Sequence, residues 1–397
     1  MSIDYKNLAC IVGVGQSPYA LQVNRSPVSM QTEAFRNALA DAGLEKSQID
    51  GFNTAHGAPT GVDYDEFVAH AGLDIRWVIQ HQNHGRWSST ALASAAFAVA
   101  SGQANYVAVC NATLSNRGYG KFFRAYREGW GEDKRDVSGG HGEIDWLGLD
   151  TPGAGTSLAA RMYMEKYGAT SEELATVALT FRKHANMNPN AIMFDRPMDL
   201  DDYMNSRFIT PPYRLFDYCL VNDGGVALIL QRADMAKDAA QTPISISGFG
   251  WREADRENTQ LRPRLKDFYH SAHHGVRDQV YPMSGLGPKD IDVYSTYDSF
   301  STHVLLTLEG FGFCGEGESG AFIQDGRIGI GGELPVNTSG GMMSESYMQS
   351  WNHQVELVRQ LRHTYEGGPR QVANAEVGQY VFDGSGRCHS VIYTRGN

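Results

Sequence analysis

The sequence predicts a mixed α/β fold built from two similar halves, with a separate segment inserted into the first. Three observations carry this. Residues 8–14 (LACIVGV) form an apolar run of strand length, and an amphipathic helical pattern follows at residues 30–42. A second β-rich run, ISISGFG at residues 244–250, opens another such unit. The phrase Gly43-Leu44, four residues, Ile49-Asp50 returns about 240 residues later as Gly285-Leu286, four residues, Ile291-Asp292. A recurrence in matching order and spacing is the mark of a duplicated unit.

In the first unit, Phe35, Ala38, Leu39 and Ala42 share one helix face, and Gly43 stands where a left-handed residue ends a helix. A short strand is expected at residues 51–55. Residues 88–101 (SSTALASAAFAVAS) are small or apolar all round, which predicts a helix buried on every side. Ser88 or Ser89 is expected to cap it and Gly102 to end it. The turn that feeds it, residues 82–87 (QNHGRW), then sits at a buried helix N-terminus, where negative charge on a ligand is stabilised. The inserted segment opens with the Gly-, Arg- and aromatic-rich run NRGYGKFFRAYREGWGEDKRD (residues 116–136). Helices are expected at residues 158–167 and 171–184, the second capped by Ser171 and apolar at Leu174, Val177, Ala178 and Phe181. An insertion of this length with its own helices is expected to cover a site. The expected division is residues 1–114 with 213–243 as the first half, 115–212 as the insertion and 244–397 as the second half.

Charge and composition exclude several classes. Lys and Arg number 34 against 45 Asp and Glu, a net charge of −11, so the chain is a poor candidate for general nucleic-acid binding, which needs a basic surface. No apolar run approaches the ~20 residues of a membrane helix. Met1-Ser2-Ile3-Asp4-Tyr5-Lys6 does not begin a secretory signal, so the expected location is the cytoplasm. Cys10, Cys110, Cys219, Cys314 and Cys388 are scattered and never form C-x-x-C, which argues against a disulfide framework or a metal site.

Several stretches together resemble the thiolase superfamily, nearest its sterol-carrier-protein thiolase branch and the lipid-transfer-protein aldolases. They are residues 88–109 (SSTALASAAFAVASGQANYVAV), 167–191 (YGATSEELATVALTFRKHANMNPNA), 222–230 (NDGGVALIL), 291–306 (IDVYSTYDSFSTHVLL) and 335–353 (PVNTSGGMMSESYMQSWNH). The resemblance covers nearly the whole chain. It implies a five-layered αβαβα core from two βαβαβαββ halves, with a loop domain inserted in the first, and a homodimer built on the core.

The departures from the family pattern carry the functional reading. In thiolases the turn before the buried helix bears a nucleophilic cysteine whose thiol is acidified by the helix N-terminus. Matching Ser89-Thr90-Ala91-Leu92 to that pattern puts Gly85 at the cysteine position. The family's His-Asp-Cys-Phe or Asn-Glu-Ala-Phe motif reads Tyr297-Asp298-Ser299-Phe300, and its Gly-His-Pro reads Ser346-Tyr347-Met348. The last motif, Cys-x-Gly, is expected to be replaced within Asn374-Ala375-Glu376-Val377-Gly378. Thiol and imidazole are thus lost where Claisen chemistry needs them, and a phenol stands at two of the positions.

The resemblance to the aldolases implies that Tyr297 and Tyr347 form an acid/base pair for retro-aldol cleavage of a 3-hydroxyacyl-CoA, a reaction that needs proton transfer and no nucleophile. Tyr294 is the second choice, expected on the opposite face of its strand. Asp298 is expected as a hydrogen-bond partner, His353 as a pocket or packing residue, and His84, Gly85 and Gly378 near the thioester oxygen. Arg117, Lys121 and Arg124 are candidate contacts for the phosphates of CoA, with a solvated basic surface as the competing explanation. No cofactor or metal is expected; the CoA thioester is the substrate. The family implies a 17-hydroxy steroid acyl-CoA, cleaved to a 17-ketosteroid and propionyl-CoA or acetyl-CoA. It also implies a small zinc-ribbon and OB-fold partner of the acyl-CoA-associated type in a heterotetramer. Two other functions compete: a non-catalytic acyl-CoA or sterol-binding protein, and a thiolase whose nucleophile has moved to Cys314 or Cys388.

Overall fold

The computed structural model describes residues 6–54, 61–81, 87–114, 152–252, 271–383 and 387–396. The buried run at the start forms β1 (Ala9–Gln16), followed by α1 (Pro27–Ala42), β2 (Gly51–Thr54), α2 (Tyr64–Ala71), β3 (Trp77–Gln80), α3 (Trp87–Ala100) and β4 (Tyr106–Leu114). The central stretch supplies α4 (Pro152–Tyr167), α5 (Ser171–Ala185), α6 (Leu200–Met204), the short pair β5 (Phe208–Thr210) and β6 (Tyr213–Arg214), and the long strand β7 (Asp223–Arg232). The second half contributes β8 (Ile244–Arg252), α7 (Ser271–Ser284), β9 (Val293–Thr296), α8 (Ser301–Gly310), α9 (Ser319–Phe322), α10 (Trp351–Leu361), β10 (Val377–Asp383) and β11 (Cys388–Arg395).

Among the described residues, nine strands form one sheet in the order β3-β2-β4-β7-β1-β8-β11-β10-β9. Outward from the middle, the first half runs β1, β7, β4, β2 and the second β8, β11, β10, β9. Corresponding pairs have the same sense. β1 with β7 and β8 with β11 are antiparallel, as are β7 with β4 and β11 with β10, whereas β4 with β2 and β10 with β9 are parallel. Beyond β2 comes β3; beyond β9, Tyr294 forms a parallel bridge to Val336. The recurring phrase falls at equivalent places. Gly43 (φ 65°) and Gly285 (φ 71°) follow α1 and α7, and each leads through a one-turn helix into the next strand. The duplication read from the sequence is therefore a duplication of topology. The halves join through a short ladder, Cys10↔Ser245 and Ile11↔Ile244.

Three apolar layers fill the spaces around the sheet. On the outer face of the first half, Phe35 and Ala38 of α1 pack with Phe52, Ala108 and Ala227. Between the halves, Ala91, Leu92 and Ala95 of α3 and Trp351, Val355 and Val358 of α10 pack with Val109, Val226, Tyr380 and Val391. On the outer face of the second half, Val276 and Val280 of α7 and Val304 and Leu308 of α8 cover Tyr294, Val381 and Ile392, joined by Leu174, Val177 and Phe181 of α5. Helix, half-sheet, helix, half-sheet, helix is the five-layered arrangement. α3 is mostly buried on all sides, as its composition predicts, and its alanines let it sit between the two halves of the sheet; larger residues there would cost about 1–3 kcal/mol.

The helix ends differ from the sequence reading. Thr170 caps α5, its hydroxyl accepting from the Glu173 N–H at 3.3 Å while Glu173 reaches back to the Thr170 N–H at 2.9 Å; Ser171 is the first helical residue. α4 begins at Pro152, six residues before the expected start. α3 begins at Trp87, so Ser88 and Ser89 lie inside it. Their hydroxyls bind sideways, Ser88 to the Ser350 hydroxyl at 2.5 Å and Ser89 to His389 Nδ1 at 3.2 Å.

Candidate active site

Tyr297 and Tyr347 converge from different segments of the second half. Tyr297 is the first residue beyond β9, and its N–H donates to the Val381 carbonyl of β10 at 2.9 Å, which prolongs the strand pairing. Its ring stands edge-on to Phe382, centroids 4.8 Å apart, in the central layer. Tyr347 follows a π-helical turn, Gly341–Glu345, and its N–H donates to Asn222 Oδ1 at 2.6 Å. Asn222 in turn donates from Nδ2 to the Ser346 hydroxyl at 2.8 Å, so the residue just before β7 fixes the backbone on which Tyr347 hangs. The two phenol oxygens lie 3.1 Å apart, a direct hydrogen bond between residues that are 5% and 2% exposed.

Asp298 ties these segments together. Its carboxylate accepts from the Met342 and Met343 N–H groups, at 3.0 and 3.1 Å, and from His353 Nε2 at 3.0 Å. Adjacent to Tyr297 in the chain, it thus holds both the turn that delivers Tyr347 and the face of α10. All three polar groups are taken out of water, and a buried carboxylate is tolerated only when its oxygens are satisfied in this way. The turn requires glycine at 341, where φ is 63° and a methyl group would fall 2.2 Å from Asp298 Oδ2. Just beyond Tyr347, Gln349 (φ 52°) and Ser350 (φ 73°) hold left-handed conformations without being glycine. Such residues are uncommon and cluster where a fixed geometry matters more than local comfort.

The other expected site residues distribute as follows. Tyr294 points into the opposite layer, its ring against Phe313 at 4.8 Å, and takes no part in the phenol pair. His353 reaches Asp298 and stacks on Tyr380. Gly378 is a correction. It lies at the start of β10, level with Val293 and Tyr393, three residues before the Val381 that receives the Tyr297 N–H, or about 10 Å along a strand. The far end of β10 faces Tyr297, so Phe382 stands where a residue of 374–378 was expected. His84, Gly85, Arg117, Lys121 and Arg124 lie outside the described residues. Sequence reasoning missed Asn222 and Phe382; the Asn-Asp pair opening an otherwise apolar strand was the available signal for the first.

None of the five thiols is poised as a nucleophile. Burial pushes Cys10 and Cys314 up to about 12, and Cys110, Cys219 and Cys388 higher still, with the Asp298 and Asp383 carboxylates adding to the last two respectively. Cys219 is the thiol tied to the site, since its N–H donates to the Ser299 carbonyl at 3.0 Å. Among the described residues no group of three or more His, Cys, Asp or Glu is arranged to hold a metal ion. No helix among them is long and apolar enough to cross a membrane.

A duplicated five-layered α/β core with a buried phenol pair and no reactive thiol defines a thiolase-fold protein adapted to other chemistry. A family model described as Thiolase C-terminal domain-like matches residues 255–392. The chain is 36% identical to a steroid side-chain-cleaving aldolase of Thermomonospora curvata over 93% of its own length and 94% of the relative's. It is 35% identical to 17-hydroxy-3-oxo-4-pregnene-20-carboxyl-CoA lyase of Mycobacterium tuberculosis, over 90% of this chain and 92% of that one. Among solved structures, one described as the Ltp2-ChsH2(DUF35) aldolase superposes with a TM-score of 0.87 at 31% identity, covering 99% of both chains. Human mitochondrial 3-ketoacyl-CoA thiolase, at 14% identity and a TM-score of 0.65, shares the fold. The chain belongs to the thiolase superfamily, in the branch that contains these steroid side-chain-cleaving aldolases.

Proposed function

We propose that this protein is a carbon–carbon lyase that cleaves a 3-hydroxyacyl-CoA by a retro-aldol reaction, using Tyr297 and Tyr347 to move the proton. The observation that carries the reading is the direct hydrogen bond between the two phenols, 3.1 Å long and buried. The net reaction transfers one proton from the β-hydroxyl oxygen to Cα. As the hydroxyl proton leaves, the C–O bond becomes a carbonyl and the Cα–Cβ electron pair passes into the thioester enolate. Protonation at Cα then gives the shorter acyl-CoA.

A free phenol titrates near ~10, so a lone tyrosine is a poor base at neutral pH. Two hydrogen-bonded phenols avoid that cost. The first takes the substrate proton as it passes its own to the second, and the second delivers its proton to Cα. No separate phenolate has to form, and the pair returns to its starting state after each turnover. A thiolase reaction is disfavoured on a separate ground, because burial raises the pKa of each of the five thiols.

The substrate class follows the relatives named above: a 17-hydroxy steroid bearing a CoA-activated side chain, giving a 17-ketosteroid and propionyl-CoA or acetyl-CoA, with no added cofactor. The partner reading follows the solved aldolase described with a DUF35 protein, and takes this chain into a heterotetramer around its own dimer. β3 ends the sheet with its outer edge unpaired among the described residues and Val78 exposed, which suits a second copy adding to that edge. A cytoplasmic location completes the proposal.

The test is incubation with a tertiary 3-hydroxyacyl-CoA, with and without a co-purified DUF35 protein. Mass spectrometry should find ketone and shortened acyl-CoA in equal amounts. Tight binding of the CoA ester without products, with the partner present, would make the protein a non-catalytic acyl-CoA binder.

A further inference from the structure

We infer that the buried carboxamide of Asn111 is a hydrogen-bond donor to the thioester oxygen of the substrate, and hence to the enolate that cleavage leaves there. The inference rests on the retro-aldol reading and adds to it the residue that stabilises the departing charge.

Asn111 lies on β4 with no exposed surface, and neither atom of its amide has a partner among the described residues. Leaving a buried amide unpaired costs about 1–3 kcal/mol, so such a group calls for a physical reason. A ligand that arrives later supplies one. Along β4, Val107 and Val109 face the central layer, so the alternation of a strand turns Asn111 the same way. Tyr347 and Met348 belong to that layer.

The register fixes the neighbourhood. Asn111 pairs with Val226, and Thr113, the next residue on that face, pairs with Gly224. A methyl group on Gly224 would fall 2.9 Å from Met348 Sδ and 2.6 Å from the Tyr19 ring. The residue after Tyr347 is therefore in contact with the strand pair that carries Asn111. On β2, Asn53 is level with Val109 and donates to the Ala91 carbonyl of α3 at 3.0 Å. Asn111 lies two residues further along, about 6.6 Å, and α3 runs back over the strands at ~1.5 Å per residue. That places Asn111 level with the first residue of α3, Trp87, at the end of the layer where the helix opens. The Asn53 Oδ1 atom on the same face is also without a partner. A donor aimed where charge develops raises turnover more than it tightens ground-state binding.

The experiment compares wild type with Asn111→Leu, and with Asn111→Ala should the leucine variant fail to fold. Turnover of the 3-hydroxyacyl-CoA should fall by about 10²–10³ while KM changes little. Thermal stability should hold or rise, because an unpaired polar group has been removed. Calorimetry with propionyl-CoA and with its thioether analogue, in which a methylene replaces the carbonyl, supplies a second measure. Wild type should favour the thioester by about tenfold, and the variants should lose that preference. Unchanged turnover together with a lowered melting temperature would overturn the inference and make Asn111 a structural group satisfied by buried water. Absence of turnover in wild type would instead defeat the retro-aldol reading, and the calorimetric preference would still decide the role of Asn111.

Discussion

Replacing either phenol with phenylalanine should sever the proton route while sparing the fold. The substrate hydroxyl must approach the first phenol to about 2.7 Å, and the second phenol lies 3.1 Å beyond it. Removing one oxygen leaves a gap of nearly 6 Å, about twice the reach of a hydrogen bond. Tyr297→Phe and Tyr347→Phe should therefore each lose about 10³–10⁴ in turnover, the upper part of the range for acid/base catalysis. The double variant should be no worse than the poorer single one, since groups acting as a unit are not additive. An independent acid and base would instead multiply their losses. Each missing hydroxyl should lower stability by only about 1 kcal/mol in urea denaturation. The assay is single-turnover formation of the acyl-CoA product by mass spectrometry, run in D2O so that product carries one deuterium at Cα. Near-native turnover of both single variants would refute the pair, and multiplicative losses in the double would refute the relay.

Asp298→Ala leaves two backbone N–H groups and the His353 ring buried without their acceptor; the expected loss is about 3–5 kcal/mol by urea denaturation, with turnover falling as the Tyr347 turn relaxes. Gly341→Ala forces a methyl group against Asp298 Oδ2 at a left-handed φ, and should lower kcat more than it raises KM, measured in the same assay. Acid should weaken the fold through His184. Burial lowers that imidazole to about 4, and its neutral form donates from Nδ1 to the Asn337 carbonyl while Nε2 accepts from the Ile330 N–H. Its folded pKa lies below the unfolded value of about 6.5, so its contribution is complete above pH ~6.5 and lost as the pH falls toward 4, about 3 kcal/mol in all. Urea midpoints across that window should show the loss, and His184→Gln should flatten it. Iodoacetamide at neutral pH should leave native turnover unchanged, because no thiol is available as thiolate; rapid inactivation prevented by Cys314→Ser or Cys388→Ser would restore the thiolase reading.

Much of this architecture was legible because it depends on local chemistry that sequence records directly. The all-round small residues of α3 state its burial, and Gly43 and Gly285 state where two equivalent helices end. The phenol pair was legible for a different reason: two motif positions changed in the same chemical direction. What stayed hidden depends on register. Gly378 and Phe382 differ by four places in one strand, and nothing in a run such as VGQYVFD says which residue comes level with Tyr297; the Tyr297–Val381 hydrogen bond decides it. Asn222 was hidden similarly, and although Asp298 was expected as a hydrogen-bond partner, the groups it binds were not legible. Their partners, the N–H groups of residues 342, 343 and 347, belong to the backbone, which carries no residue-type signature. Asn111 belongs to this second group and points to a limit on motif reading in general. A family motif locates groups that act along a shared path, whereas a group recruited from a neighbouring strand reveals itself only through its surroundings, here an amide buried without a partner. If the variants at Asn111 behave as expected, unsatisfied buried polar atoms will have located a substrate contact that no comparison of motifs marks.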